Sequence, residues 1–146
     1  MKFADFFAGQ HLQLGPVPVE TQAVLDFATQ WDPQWFHTDE AAAATGHFDG
    51  LIASGWHTCC MAMRIVADEI LLGSESFASP GIEKLQWLLP VRPGDALTVH
   101  LFVRDVRRSR KRPELGVLHW DWQIDNQHRQ AVLRMDVTSM FKLPVE

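Results

Sequence analysis

An acid and an imidazole stand five residues apart in Trp31-Asp32-Pro33-Gln34-Trp35-Phe36-His37-Thr38-Asp39, and Gly50-Leu51-Ile52-Ala53-Ser54-Gly55-Trp56-His57-Thr58 follows shortly after. A carboxylate beside an imidazole can hold a water molecule and move its proton. A glycine at a helix start lets a ligand approach the main-chain amides closely, where an oxygen that gains negative charge is stabilised. The two stretches together read as an acid/base pair, Asp32 and His37, facing an oxyanion site at Gly55.

That pairing imposes a condition on the backbone. On a continuous helix, residues five apart point about 140° away from each other, so the helix must break between them. Pro33 supplies the break, because it disfavours the helical conformation for the residue before it. The preceding apolar positions Val24, Leu25, Phe27, Ala28 and Trp31 recur at helical spacing, with Thr21 as a cap and an end near Asp32. Thr38 reads as the N-cap of a second, short helix that has Asp39 and Glu40 in its first turn, four alanines behind them and Gly46 as its stop. His37 is then held just before a capped helix start.

The elements that must carry these residues follow from periodicity. Ser54 to Leu72 reads as one long helix closed by Gly73, apolar around most of its circumference and therefore largely buried, with His57, Arg64 and Asp68 near one narrow polar stripe. His11 to Glu20, with Pro16 and Pro18, is at best an edge strand. After a loop from Ser74 to Gly81 the period becomes two. Ile82 to Val91 is a strand, and three more follow in which Leu97, Val99, Leu101 and Val103, then Leu118, Trp120, Trp122 and Ile124, then Leu133, Met135, Val137 and Phe141 share one apolar face. Only the long helix can cover that face. The expected architecture is α+β: an antiparallel sheet wrapped around a long central helix, which is the hot-dog fold, in a single domain spanning 1–146.

Composition narrows the function. With 146 residues, 47% hydrophobic and 21% charged, the chain fits one globular core. A formal net charge of -5 argues against general nucleic-acid binding. Met1 to Gln10 lacks the pattern of a targeting peptide, and the most apolar segment is interrupted by His57, Arg64, Asp68 and Glu69, so a membrane span is not expected and a cytoplasmic location is. The adjacent Cys59 and Cys60 suit neither a structural disulfide nor a zinc site and read as small core residues. His37, His47 and His57 recur at spacings of ten with no matching cysteine or carboxylate cluster, so no metal is expected.

Asp32 to Asp39, followed by Gly50 to Trp56, resembles the MaoC-like acyl dehydratases and the related (R)-specific enoyl-CoA hydratases, and the similarity covers nearly the whole chain. The family's pattern is an Asp, four residues and a His, usually with Asn-Pro between them. Asp32 and His37 keep that spacing, whereas Gln34 and Trp35 stand in the Asn and Pro places. The resemblance implies a hydro-lyase that adds or removes water at the 2,3 double bond of an enoyl thioester, with coenzyme A as part of the substrate, no separate cofactor, and a homodimer or higher homo-oligomer. Under it, Asp32 and His37 are catalytic, while Gly55, Ser54, Trp56, Thr58, Trp35 and Phe36 form the substrate and oxyanion site. Ser54 and Thr58 either cap the helix or hydrogen-bond the substrate, capping being the better fit for Ser54, and Trp56 suits core or pocket wall equally.

The run Arg104, Arg107, Arg108, Arg110, Lys111 and Arg112 falls at a hairpin. It is either a solvated turn or a phosphate site in which Arg107, Arg108 and Arg110 hold coenzyme A. Two rival functions stay open: a hot-dog acyl-CoA thioesterase, in which a carboxylate directs water at the thioester carbonyl, and a non-catalytic acyl-CoA-binding protein.

Overall fold

A computed structural model describes residues 1–144; the last two residues of the expected 1–146 domain lie outside the described residues. Five strands form one antiparallel sheet: β1 (His11–Pro18), β2 (Ser76–Trp87), β3 (Ala96–Arg108), β4 (Leu115–Asp125) and β5 (Ala131–Lys142), in the order β1-β3-β4-β5-β2. Between β1 and β2 run α1 (Thr21–Trp31), α2 (Trp35–Thr38), α3 (Glu40–Ala44) and α4 (Gly55–Val66), the last continued by a π-helical turn over Ala67–Leu71. This is the hot-dog arrangement, with α4 as the central helix.

The alternating strands behave as their period requires. Leu97, Val99, Leu101 and Val103 of β3, Trp120, Trp122 and Ile124 of β4, and Leu133, Met135 and Phe141 of β5 are all buried. Against them lies one stripe of the central helix, Thr58, Ala62, Val66 and Ile70, four residues apart and buried. The Trp120 indole N–H is satisfied within this core by Ser139 Oγ at 3.1 Å.

Several expectations need correction. β2 begins six residues before Ile82 and ends at Trp87, so the expected loop over 74–81 is mostly strand, and after Leu88, whose amide still donates to the Val132 carbonyl at 2.8 Å, Leu89 to Val91 leave the ladder. Those residues cross instead beneath the helix start, where the Ala53 amide donates to the Val91 carbonyl at 2.8 Å. The central helix is also buried on one side only, because the sheet covers a single face: Trp56, Cys60 and Met63 are exposed and Cys59 is half-buried. His57, expected on the polar stripe, is buried and stacked on Phe27 with ring centroids 4.7 Å apart, leaving Arg64 and Asp68 as an exposed ion pair at 2.7 Å. No described helix is long and apolar enough to cross a membrane.

Candidate active site

α1 ends where Pro33 requires. Asp32 is its C-cap, outside helical geometry, with its amide still bonded to Ala28 O at 2.8 Å. The chain turns through Pro33 and Gln34, and the one-turn helix α2 brings His37 back toward Asp32, leaving Nε2 of the imidazole 3.3 Å from Asp32 Oδ2. The buried His37 ring is fixed from behind: Nδ1 lies 2.7 Å from the Ile52 carbonyl oxygen. A carbonyl only accepts, so Nδ1 carries the proton and Nε2 is the nitrogen free to work on a ligand.

The capping arrangement differs from expectation. Asp39, not Thr38, is the N-cap of α3, its side chain accepting from the Ala42 amide at 3.0 Å, while the Thr38 hydroxyl donates back to Gln34 O at 3.2 Å. Thr38 is still in helical conformation at the end of α2, so its hydroxyl faces the turn behind it. Glu20, not Thr21, likewise precedes α1 and makes no side-chain cap.

Asp32 is the best-furnished group of the site. Its Oδ1 accepts from Gln34 Nε2 and its Oδ2 from the Ser54 hydroxyl, each at 2.7 Å. Burial alone would raise the carboxyl's pKa, but these two donors and the neighbouring imidazole outweigh it and hold the group below its ordinary value. The carboxylate is therefore ionised at neutral pH. Ser54 does precede α4, but its hydroxyl makes no cap and is committed to Asp32. As a result the Gly55 and Trp56 amides at the start of the 12-residue α4 take no backbone or side-chain acceptor among the described residues, since the helix's first bonds to Ser54 O come from His57 and Thr58.

The dyad opens on a cavity of about 400 Å³ lined by Asp32, Gln34, His37, Gly55, Trp56, Thr58 and Trp87, with Phe48, Ile52 and Leu88 to Val91 closing the sides. It holds two adjacent proton acceptors on one wall and a positively polarised helix start on another. Such a cavity can bind water and an anionic oxygen side by side.

The family model described as the MaoC like domain matches residues 5–119. The chain belongs to the MaoC-like dehydratase family. A MaoC-like dehydratase from Rhodospirillum rubrum shares 34% identity and a TM-score of 0.86, with 97% of each chain covered. The (R)-hydratase from A. caviae involved in PHA biosynthesis shares 25% identity and a TM-score of 0.74, covering 95% of this chain and 98% of that one. YdeM of Bacillus subtilis (strain 168), an uncharacterized protein, is 30% identical over 142 residues, 97% of this chain and 99% of its own length. Family membership supports hydratase or dehydratase chemistry in general.

In this MaoC-like chain, Asp32, His37, Gly55, Trp56 and Thr58 converge on one cavity, and Ser54 stands behind it. Trp35 and Phe36 do not join them. They line a separate cavity of about 200 Å³ with Gly46, His47 and Phe48, because α2 turns consecutive residues to different sides: His37 goes inward and Trp35 packs over Gly46. Arg107 and Arg108 end β3 and Arg110 lies in the hairpin beyond it, about ten residues, or roughly 30 Å of strand, from Thr98 at the other end of the ladder, and none of the three lines the dyad's cavity. Arg107 lies 3.4 Å from Asp105, and Arg108 donates to the carbonyls of Pro113 and Pro144. Among the described residues, no group of three His, Cys, Asp or Glu converges as a metal site. The sequence reading placed Trp87 and Leu88 to Val91 in a strand and not in the site; Pro90, which cannot donate to a ladder, was the signal against a strand running to Val91.

Proposed function

We propose that this MaoC-like protein hydrates a 2-enoyl thioester, and in reverse dehydrates the 3-hydroxyacyl thioester, with coenzyme A as the carrier. The observation that carries the reading is the 3.3 Å approach of His37 Nε2 to Asp32 Oδ2 in the same cavity as the uncapped start of α4. A water on the cavity side of the pair, donating one hydrogen to the carboxylate and the other to Nε2, turns its oxygen lone pair toward the cavity. The thioester oxygen takes the Gly55 amide, which stabilises the enolate formed when that oxygen attacks C3. The dyad removes one proton from the water and returns one to C2, so the overall reaction adds H and OH across the double bond. The bound Nδ1 proton keeps His37 in the tautomer this shuttle requires.

The likeness to the A. caviae (R)-hydratase supports a 3R product. We place the reaction in cytoplasmic acyl-CoA metabolism and the protein in a homodimer. Arg107, Arg108 and Arg110 do not line the dyad's cavity, so the proposed reaction gives them no role at the reacting atoms. The test is a panel of 2-enoyl-CoA thioesters followed by loss of conjugated absorbance, with free thiol measured in parallel. Loss of absorbance without thiol release is expected; thiol release from saturated acyl-CoA would select the thioesterase, and tight binding without turnover the binding protein.

A further inference from the structure

A second cavity, about 480 Å³ and almost wholly apolar, lies further along α4 between its exposed stripe and the sheet, lined by Cys59, Met63, Ile82, Trp122, Met135 and Val137. Trp56 borders both this cavity and the one that holds the dyad. The Trp56 indole meets that of Trp87 edge to face, with centroids 5.1 Å apart and planes at 79°. Trp87 in turn lies flat on the start of α4, so close that a Cβ added to Gly55 would stand 2.4 Å from its ring. Trp56, braced edge to face by Trp87, therefore stands between the catalytic cavity and the apolar one.

We infer that Trp56 and Trp87 form the wall that ends the acyl subsite, so that the protein selects short 2-enoyl chains and the apolar cavity beyond would take a longer tail once the wall is removed. The inference rests on the proposed hydration reaction for its substrate class. A cavity of about 400 Å³ must already hold the thioester and the end of its carrier arm beside the dyad, which leaves room for few further carbons. The lining beyond the wall suits only an apolar occupant, and continuity through Trp56 points to the same ligand's tail. Neither indole is a core residue, Trp56 being 56% and Trp87 46% exposed, so each can be truncated without hollowing the fold.

The test compares kcat/KM for crotonyl-CoA and trans-2-decenoyl-CoA in the unaltered protein, in Trp56→Ala, in Trp87→Ala and in the double variant. The unaltered protein is expected to favour crotonyl-CoA, and opening the wall to move the ratio toward decenoyl-CoA by about tenfold or more. Trp56→Phe and Trp87→Phe should shift it less. An unchanged ratio in the double variant overturns the wall, and a second copy of the chain filling the apolar cavity would give that same result. Calorimetric titration with butyryl-CoA and decanoyl-CoA reads the same selectivity without turnover. A protein inactive on every enoyl-CoA but showing the affinity shift would refute hydration and keep the wall; activity with no shift in either measurement would do the reverse.

Discussion

Asp32 has its two oxygens hydrogen-bonded by Gln34 and Ser54, and that sets both its ionisation and its aim. Asp32→Asn keeps the shape but loses the charge, and hydration is expected to fall about 10²- to 10⁴-fold with the circular dichroism spectrum unchanged. Near-normal turnover would remove Asp32 from the chemistry. Ser54→Ala acts differently. It deletes a donor that holds the carboxyl's pKa down, so the acid limb of the kcat/KM profile should move to higher pH, while the unaltered enzyme keeps activity into more acidic solution. A profile that does not move would show that Ser54 does not tune the acid. Gln34, which stands where the family usually has Asn, still reaches the carboxylate, so this departure preserves a donor to Asp32.

At the level of single elements, α4 carries a buried histidine that the proposed reaction does not use. Burial lowers the pKa of His57 below its ordinary 6.5, and its Nδ1 has no hydrogen-bond partner among the described residues. The unfolded chain then takes up a proton near the ordinary value while the folded one resists. Stability is therefore full above about pH 6.5 and declines as pH falls toward the lower folded value. Urea unfolding across this range should show that slope, and His57→Leu should flatten it; an equal slope in the variant would locate the effect elsewhere. In α3, Asp39→Ala should cost about 0.5–1 kcal/mol by removing the cap, measurable as a lower Tm, whereas Thr38→Ala should cost less. The reverse order would restore Thr38 as the cap. The sequence points to Thr38 one residue too early, because adjacent Thr and Asp are both good caps and the choice depends on how tightly α2 winds.

For the whole molecule, β2 is an edge strand with one side unpaired, and it exposes Phe77 by 56% and Ile82 by 51%. Such an edge invites a second copy. Light scattering is expected to give a dimer mass for the protein and a smaller mass for Phe77→Lys, a position outside the apolar cavity; a monomer at micromolar concentration in the unaltered protein would refute the proposed dimer.

The division between what local information and tertiary packing each decided follows the range of the interactions. The Asp32–His37 approach was legible because Pro33 forces a turn within six residues, and the strands of the core were legible because alternation needs no knowledge of the partner. Residues 82–87 were recognised as strand, but the start of β2 at Ser76 was not, since at an edge both faces are exposed and the alternating signal vanishes. The long helix was found, yet its expected burial over most of its circumference was too wide, because one sheet covers only one face of a cylinder. Ser54, Trp35, Phe36 and the hairpin arginines show the same limit: their identities permit a role, but only packing decides direction and distance. Acid, base and glycine were written in the chain; that Ser54 serves Asp32, and that Trp87 closes over Gly55, depended on bringing together residues 22 and 32 positions apart.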